Sequence, residues 1–301
     1  VTLDTILQRI AATHQQHSIK CFISIQYLTK ALELSGDELE RLDALLNSEE
    51  PVFTNEILTS NALPFEPVAR RRDWVLSHGL YPYSYFSMAQ WFHESDFNEI
   101  FNYYLDLCIK HSQYLNHNLS ILLAFKEGFE QITTNSQKFR FIERFTEFVT
   151  ATFYQKDPLT YPLADDFILK SDLSLQEGLD AAVTQPGFWG HNLIALSWLI
   201  KHKDNLTNSQ FNQLLLNVYE QCHWTFSDVE DSPVIDTLYQ GELNTAVLHR
   251  NCRALLFNSS NNLHQITLAA SVMHLYGQHW IKTQDKRRLI SILIFYSALK
   301  R

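Results

Sequence analysis

Glycine and proline are scarce, at eight residues each in a chain of 301. An all-β fold needs many tight turns, and this supply disfavours one. Cysteine is rarer still, at four residues. Cys21, Cys108, Cys222 and Cys252 are widely spaced and form no CxxC pair, which points to buried free thiols in a reducing compartment rather than a disulfide framework. No stretch reaches the roughly 18 to 20 consecutive apolar residues of a membrane span. The first residues, Val1-Thr2-Leu3-Asp4, lack the basic region of a signal peptide. A cytoplasmic protein is the default expectation, although a start at Val1 leaves room for a leader already removed. Basic residues are outnumbered, giving a net charge of -9, so nucleic acid and anionic membranes are not expected partners. The one basic run, Arg70-Arg71-Arg72, is followed at once by Asp73 and reads as a solvated helix start.

Several chemical fingerprints are also missing. The chain has no GxSxG elbow, P-loop, GxGxxG or HExxH. A di-iron carboxylate bundle needs two ExxH pairs, and Glu220-x-x-His223 is the only one found.

What is present is helical periodicity. Leu3, Ile6, Leu7 and Ile10 fall at i, i+3, i+4, i+7, and similar stripes recur near 85–110, 136–153 and 285–299. The fold class expected is all-α. Three stretches interrupt the pattern: 49–68 with Pro51, Pro64 and Pro67, 155–172 with Pro158 and Pro162, and the acidic 225–236. They read as surface connections or lids. The chain is expected to form a single helical domain, 1–301, with room for two lobes, 1–154 and 173–301, joined by the irregular 155–172.

Internal similarity is the most informative signal. From His117 the chain reads HNLSILLAFKEGFEQITTNSQ, and from His191 it reads HNLIALSWLIKHKDNLTNSQ. Weaker copies open at His17 and His264. The second helix of each unit starts with a capping pattern: Ser35-x-x-Glu38, Thr134-x-x-Gln137 and Thr207-x-x-Gln210. Thr283 is the expected cap of the fourth, with Lys286 spoiling the box. The expected architecture is therefore a set of pseudo-repeated helical hairpins packed around a central pocket. Shared amphipathic period alone would account for the Leu and Ile positions, but less readily for the paired His-Asn-Leu and Thr-Asn-Ser-Gln.

Equivalent positions of a repeated unit have a geometric reason to converge. His17, His117, His191 and His264 are accordingly the expected metal ligands. The positive end of a helix disfavours imidazolium, and clustered neutral imidazoles suit iron, zinc, copper or nickel. A lone histidine at a helix start is more often a packing residue, so the case rests on the set. Among the other histidines, His249 is the best substrate-contacting or outer-shell candidate, ahead of His93 and His223. His14 and the charged stretch around His202 are expected at the surface, and His78, His111, His274 and His279 as packing or surface residues. The aromatic stretch Trp74, Tyr81, Tyr83, Tyr85, Phe86 and Trp91 suits a core, with the lining of a flat apolar pocket as the other reading.

At this point the chain resembles the questin oxidase-like family. The matching segments are His17-Ser18-Ile19, the run PGFWGHNLIAL from Pro186 to Leu196, and His264-Gln265-Ile266-Thr267. The resemblance implies a non-haem iron oxygenase that opens or oxygenates aromatic polyketide rings, with motifs that are short and spread over most of the chain. The chain is shorter than that family leads one to expect, and Glu242 and Asp180 are candidate carboxylate ligands by residue type only.

The function expected is an oxidoreductase with Fe(II), or another transition metal, and dioxygen and an apolar, aromatic small molecule as its partners. Trp189, Asn192 and Trp91 join His249 as expected substrate-binding or outer-shell residues. The competing expectation is a non-catalytic helical-repeat scaffold. A metal-free enzyme using the same histidines as general bases comes third. The catalytic residues themselves and the oligomeric state are not legible.

Overall fold

The structure is a computed structural model that describes residues 1–11, 16–59, 71–110, 112–154, 161–168, 170–258 and 262–299. His14, His111, Pro64, Pro67, Pro158 and Arg70 lie outside them. Among the described residues the chain is all-α, with fourteen α-helices and only isolated β-bridges. Among them, no helix is long and apolar enough to cross a membrane. The chain divides into two compact units. Unit 1 comprises Val1–Ile23, Ser35–Lys110 and His117–Pro158; unit 2 comprises Ser24–Leu34, His111–Asn116 and Leu159–Arg301.

Unit 1 holds α1 (Leu3–Leu7), the start of α2 (Ser18–Leu32), α3 (Gly36–Glu49), α4 (Arg72–Ser77), α5 (Tyr83–Glu94), α6 (Phe97–Lys110), α7 (His117–Phe129) and α8 (Asn135–Phe153). Ten of the thirteen residues of α7 are buried, as its unbroken apolar run requires. The amphipathic α8 packs against it, and with Phe97 from α6 they build a core of phenylalanine rings. Phe97 and Phe129 have centroids 4.4 Å apart, and Phe125 lies 5.3 Å from Phe148. Such pairs are worth about 0.5–1.5 kcal/mol each beyond their buried area.

Unit 2 holds α9 (Leu175–Thr184), α10 (His191–Lys201), α11 (Asn208–Gln221), α12 (Thr245–Asn258), α13 (His264–Tyr276) and α14 (Thr283–Ala298). Here α10 and α13 are the inner helices, with nine of eleven and eleven of thirteen residues buried. They pack directly against each other.

The caps follow the sequence closely, with two departures. Ser35–Glu38 and Thr207–Gln210 close reciprocal boxes. At α8 the Thr134 hydroxyl accepts from the Gln137 N–H, but the Gln137 side chain accepts from Thr133 instead. At α14 the helix begins at Thr283 itself, so Lys282 is the cap. The third helical position is then Asp285, whose carboxylate accepts from the Lys282 N–H at 3.3 Å.

Other expectations need correction. The stripe from Leu3 to Ile10 yields a helix of only five residues, because Ile10 joins the chain's return past Pro51. The 49–68 stretch is not simply a surface connection: Glu50 and Leu58 are both 1 % exposed. All four cysteines are free and buried.

Candidate functional site

All four singled-out histidines stand at the threshold of an inner helix. His117, His191 and His264 are the first residues of α7, α10 and α13, and His17 immediately precedes α2. The entry to two of these helices has the same shape. A single 3-10 turn, Tyr114–Asn116 or Phe188–Gly190, ends in two residues with positive φ: Leu115 and Asn116 (65° and 50°), and Trp189 and Gly190 (47° and 76°). A left-handed non-glycine residue costs about 1–2 kcal/mol, so the packing of the histidine-led helices must hold these turns in place.

In unit 1, His17 meets His117. Their Nε2 atoms are 3.3 Å apart, with ring centroids at 4.7 Å and planes at 84°. Both rings are buried, at 8 % and 5 % exposure. Behind His17 lies Glu50, the residue that ends α3. Its carboxylate accepts from the His17 N–H at 2.6 Å and the Ser18 N–H at 2.8 Å, and Oε1 is 3.5 Å from His17 Nδ1. The position of residue 50 is set by its own backbone: its N–H donates to Leu46, its carbonyl accepts from Arg9, and the neighbouring chain bridges to Arg9.

In unit 2, His191 meets His264, with centroids 4.5 Å apart and planes at 57°. The segment Pro186–Gly190 sets His191. The Phe188 carbonyl contacts His191 Nδ1, and the buried Tyr296 hydroxyl donates to Gly187 O at 2.7 Å while accepting from the Gly190 N–H at 3.1 Å. Gly190 is required twice over. It has φ of 76°, and a Cβ there would come within 2.4 Å of Leu268 on α13. That close approach lets α10 and α13 begin side by side. On the other helix, Asn262 Oδ1 accepts from the His264 N–H at 2.9 Å and contacts His264 Nδ1 at 2.6 Å.

The same chemistry recurs at three of the four rings. A carboxylate, a carbonyl and an amide oxygen, all pure acceptors, face Nδ1 of His17, His191 and His264. The proton therefore belongs on Nδ1, and Nε2 carries the lone pair. Metal-binding histidines are oriented in this way. The unit 1 spacing also fits: two nitrogens about 2.0–2.1 Å from one ion at the tetrahedral angle stand about 3.3 Å apart.

Phe188 and Trp189, which precede His191, also help to line a mostly apolar cavity of about 320 Å³ together with Val229, Glu230, Pro233 and Tyr296; neither histidine lines it. The Phe188 ring stacks on His191 and presents an edge to His264, each at 5.9 Å. Trp189, 2 % exposed, stacks on Tyr296 at 5.4 Å. The acidic 225–236 stretch contributes part of this wall.

The remaining candidates fall elsewhere. The Asn192 side-chain amide donates to Gln185 O at 2.8 Å and so braces the Pro186–Gly190 turn. Trp91 is packed in unit 1 between Tyr103, Tyr104 and the Arg72 guanidinium, which lies 3.9 Å above its ring. Arg72 is thus a stacked residue as well as a helix start. Tyr81 and Tyr85 line a separate cleft in unit 1, of about 570 Å³, with Arg144 and Glu147. His249 is half-buried on α12, and among the described residues it makes no hydrogen bond to either pair. Asp180 pairs with Arg288 near the surface at 3.4 Å, and Glu242 is exposed. His202, expected at the surface, is instead 6 % exposed and stacked on Trp198. His223 is held by the Tyr219 carbonyl at 2.7 Å, and His93 is exposed.

No family model matches the chain, and no curated protein or solved structure matches it.

Proposed function

We propose that this protein is a metal-dependent oxidoreductase. Transition metal, Fe(II) first among the candidates, is held through Nε2 atoms of His17 and His117 in unit 1 and of His191 and His264 in unit 2. The observation that carries this reading is that an acceptor oxygen faces Nδ1 of His17, His191 and His264, the arrangement that leaves Nε2 for an ion. The four histidine-led helix pairs are read as copies of one unit. An imidazole-bound iron supplies the electron transfer that dioxygen chemistry requires.

The chain's own residues do the rest. Glu50, Phe188 O and Asn262 keep the rings' protons on Nδ1. Phe188 and Trp189 offer flat apolar walls to an aromatic substrate, and the cavity they line suits a molecule of one to three fused rings. Burial of His17, His117 and His191 keeps bulk water from those rings. The resemblance to questin oxidase-like proteins points to the same class of substrate.

The test is reconstitution of tag-free protein with Fe(II) under anaerobic conditions. Oxygen uptake is then followed with hydroxylated naphthalenes and anthraquinones. Uptake that needs both metal and aromatic compound, and that disappears in His191→Ala, is expected. Oxygen uptake indistinguishable from free Fe(II) would overturn the reading, and a protein that folds and binds no metal would favour a helical-repeat scaffold.

A further inference from the structure

Glu50 and Asn262 belong to different helix pairs and differ in charge, yet each grips a helix-opening histidine in the same two places. Glu50 accepts from the backbone N–H of His17 and faces its Nδ1; Asn262 accepts from the backbone N–H of His264 and from its Nδ1. The backbone contact identifies the Asn262 atom as the oxygen, since only an acceptor can take that N–H. A single oxygen bridging a residue's amide and its own ring fixes the side chain relative to the helix axis as well as the tautomer. Rotating either ring to point Nδ1 outward would give up its contact with that oxygen, which would keep only the backbone N–H.

We infer that Glu50 and Asn262 are positioning residues for the metal-binding imidazoles, clamping His17 and His264 with Nε2 outward. This rests on the metal reading above. Glu50 is 1 % exposed, and its carboxylate also satisfies the first amides of α2. With an ion on Nε2, its charge would favour the Nδ1–H form of His17 and make the ring a better donor. Asn262 performs the same task without charge. His191 needs no side-chain clamp because the Phe188 carbonyl supplies the acceptor.

Two measurements on the full chain test the clamp. Long-range proton–nitrogen spectra of the metal-free, 15N-labelled protein report the tautomer of each ring. His17 and His264 are expected as Nδ1–H forms. Asn262→Ala should give His264 a mixture of tautomers, and Asn262→Asp should restore the single form. Co(II) titration of the same proteins should show affinity reduced about 10- to 100-fold in Asn262→Ala and Glu50→Gln, with recovery in Asn262→Asp. If Glu50→Gln fails to fold, the Asn262 pair carries the comparison. Unchanged Co(II) affinity in the variants, or Nε2–H tautomers of His17 and His264 in the wild type, would overturn the inference. A wild type that binds no Co(II) would sink the metal reading itself, while the tautomers would still decide whether Asn262 sets the ring.

Discussion

His17 and His117 come from positions one hundred residues apart and bring their Nε2 atoms to 3.3 Å in the interior of unit 1. Without an ion, one ring must donate to the other, and the Glu50 carboxylate beside His17 Nδ1 makes His17 the acceptor. To hold an ion together, His17 and His117 would both have to offer Nε2, with the His117 proton moved to Nδ1. Iron bound here would generate oxidants at its ligands. Brief exposure to Fe(II), ascorbate and peroxide should therefore place 2-oxo-histidine on His17, His117, His191 and His264 before the exposed His78, His93 and His279, as read by peptide mass spectrometry. Modification confined to the exposed three would argue against bound iron.

Gly190 is the residue on which the unit 2 pair depends mechanically. Alanine there would combine a left-handed backbone with a 2.4 Å contact to Leu268. Gly190→Ala is expected to cost about 2–4 kcal/mol in urea unfolding. Its crystal structure should show the starts of α10 and α13 spread apart. A loss below about 0.5 kcal/mol would mean that this close approach is unimportant.

Glu143 is fully buried in unit 1. It accepts from the amides of Ile57 and Leu58 at 2.9 and 2.8 Å and pairs with Arg140 and Arg144 at 3.6 and 3.4 Å. Removing it would leave two guanidinium groups short of a partner and release the chain after α3. Glu143→Ala should destabilise the protein by about 3–5 kcal/mol, measured by equilibrium denaturation. A change under about 1 kcal/mol would contradict this role.

His274 gives a pH dependence with a definite sign. Burial, then the charges of Lys201 and His202, push its pKa down to about 4, and the ring bonds Ser197 and Gln278. Below pH 6.5 the unfolded chain takes up a proton that the folded chain refuses, so stability falls with pH from 6.5 through 4. The full loss is on the order of 3 kcal/mol. His274→Gln should flatten that part of the profile relative to wild type; parallel profiles would show that the ring charges freely in the fold.

The helices and the four histidine positions were legible because both are local signals: an apolar period, a capping box, and a histidine preceding an unbroken apolar run. Glu50 was not legible. It lies in a proline-bearing stretch that reads as a surface connection, and its role depends on α3 delivering a carboxylate to the start of α2. Asn262, two residues before His264, offered a local clue in the preference of asparagine for amides just downstream. His202 was misplaced because Lys203 and Asp204 dominate its surroundings in sequence. The Trp198–His202 pair, four residues apart on a helix face, was the better guide.

The helix-opening histidines are proposed to bind a metal ion. Elemental analysis of tag-free protein, as purified and after anaerobic Fe(II) loading and desalting, tests this most directly, alongside His17→Ala/His117→Ala and His191→Ala/His264→Ala. Iron retained by the wild type and lost from both folded double variants is the expected result. Folded wild-type protein that retains no transition metal, or retention unchanged in both variants, would contradict the claim.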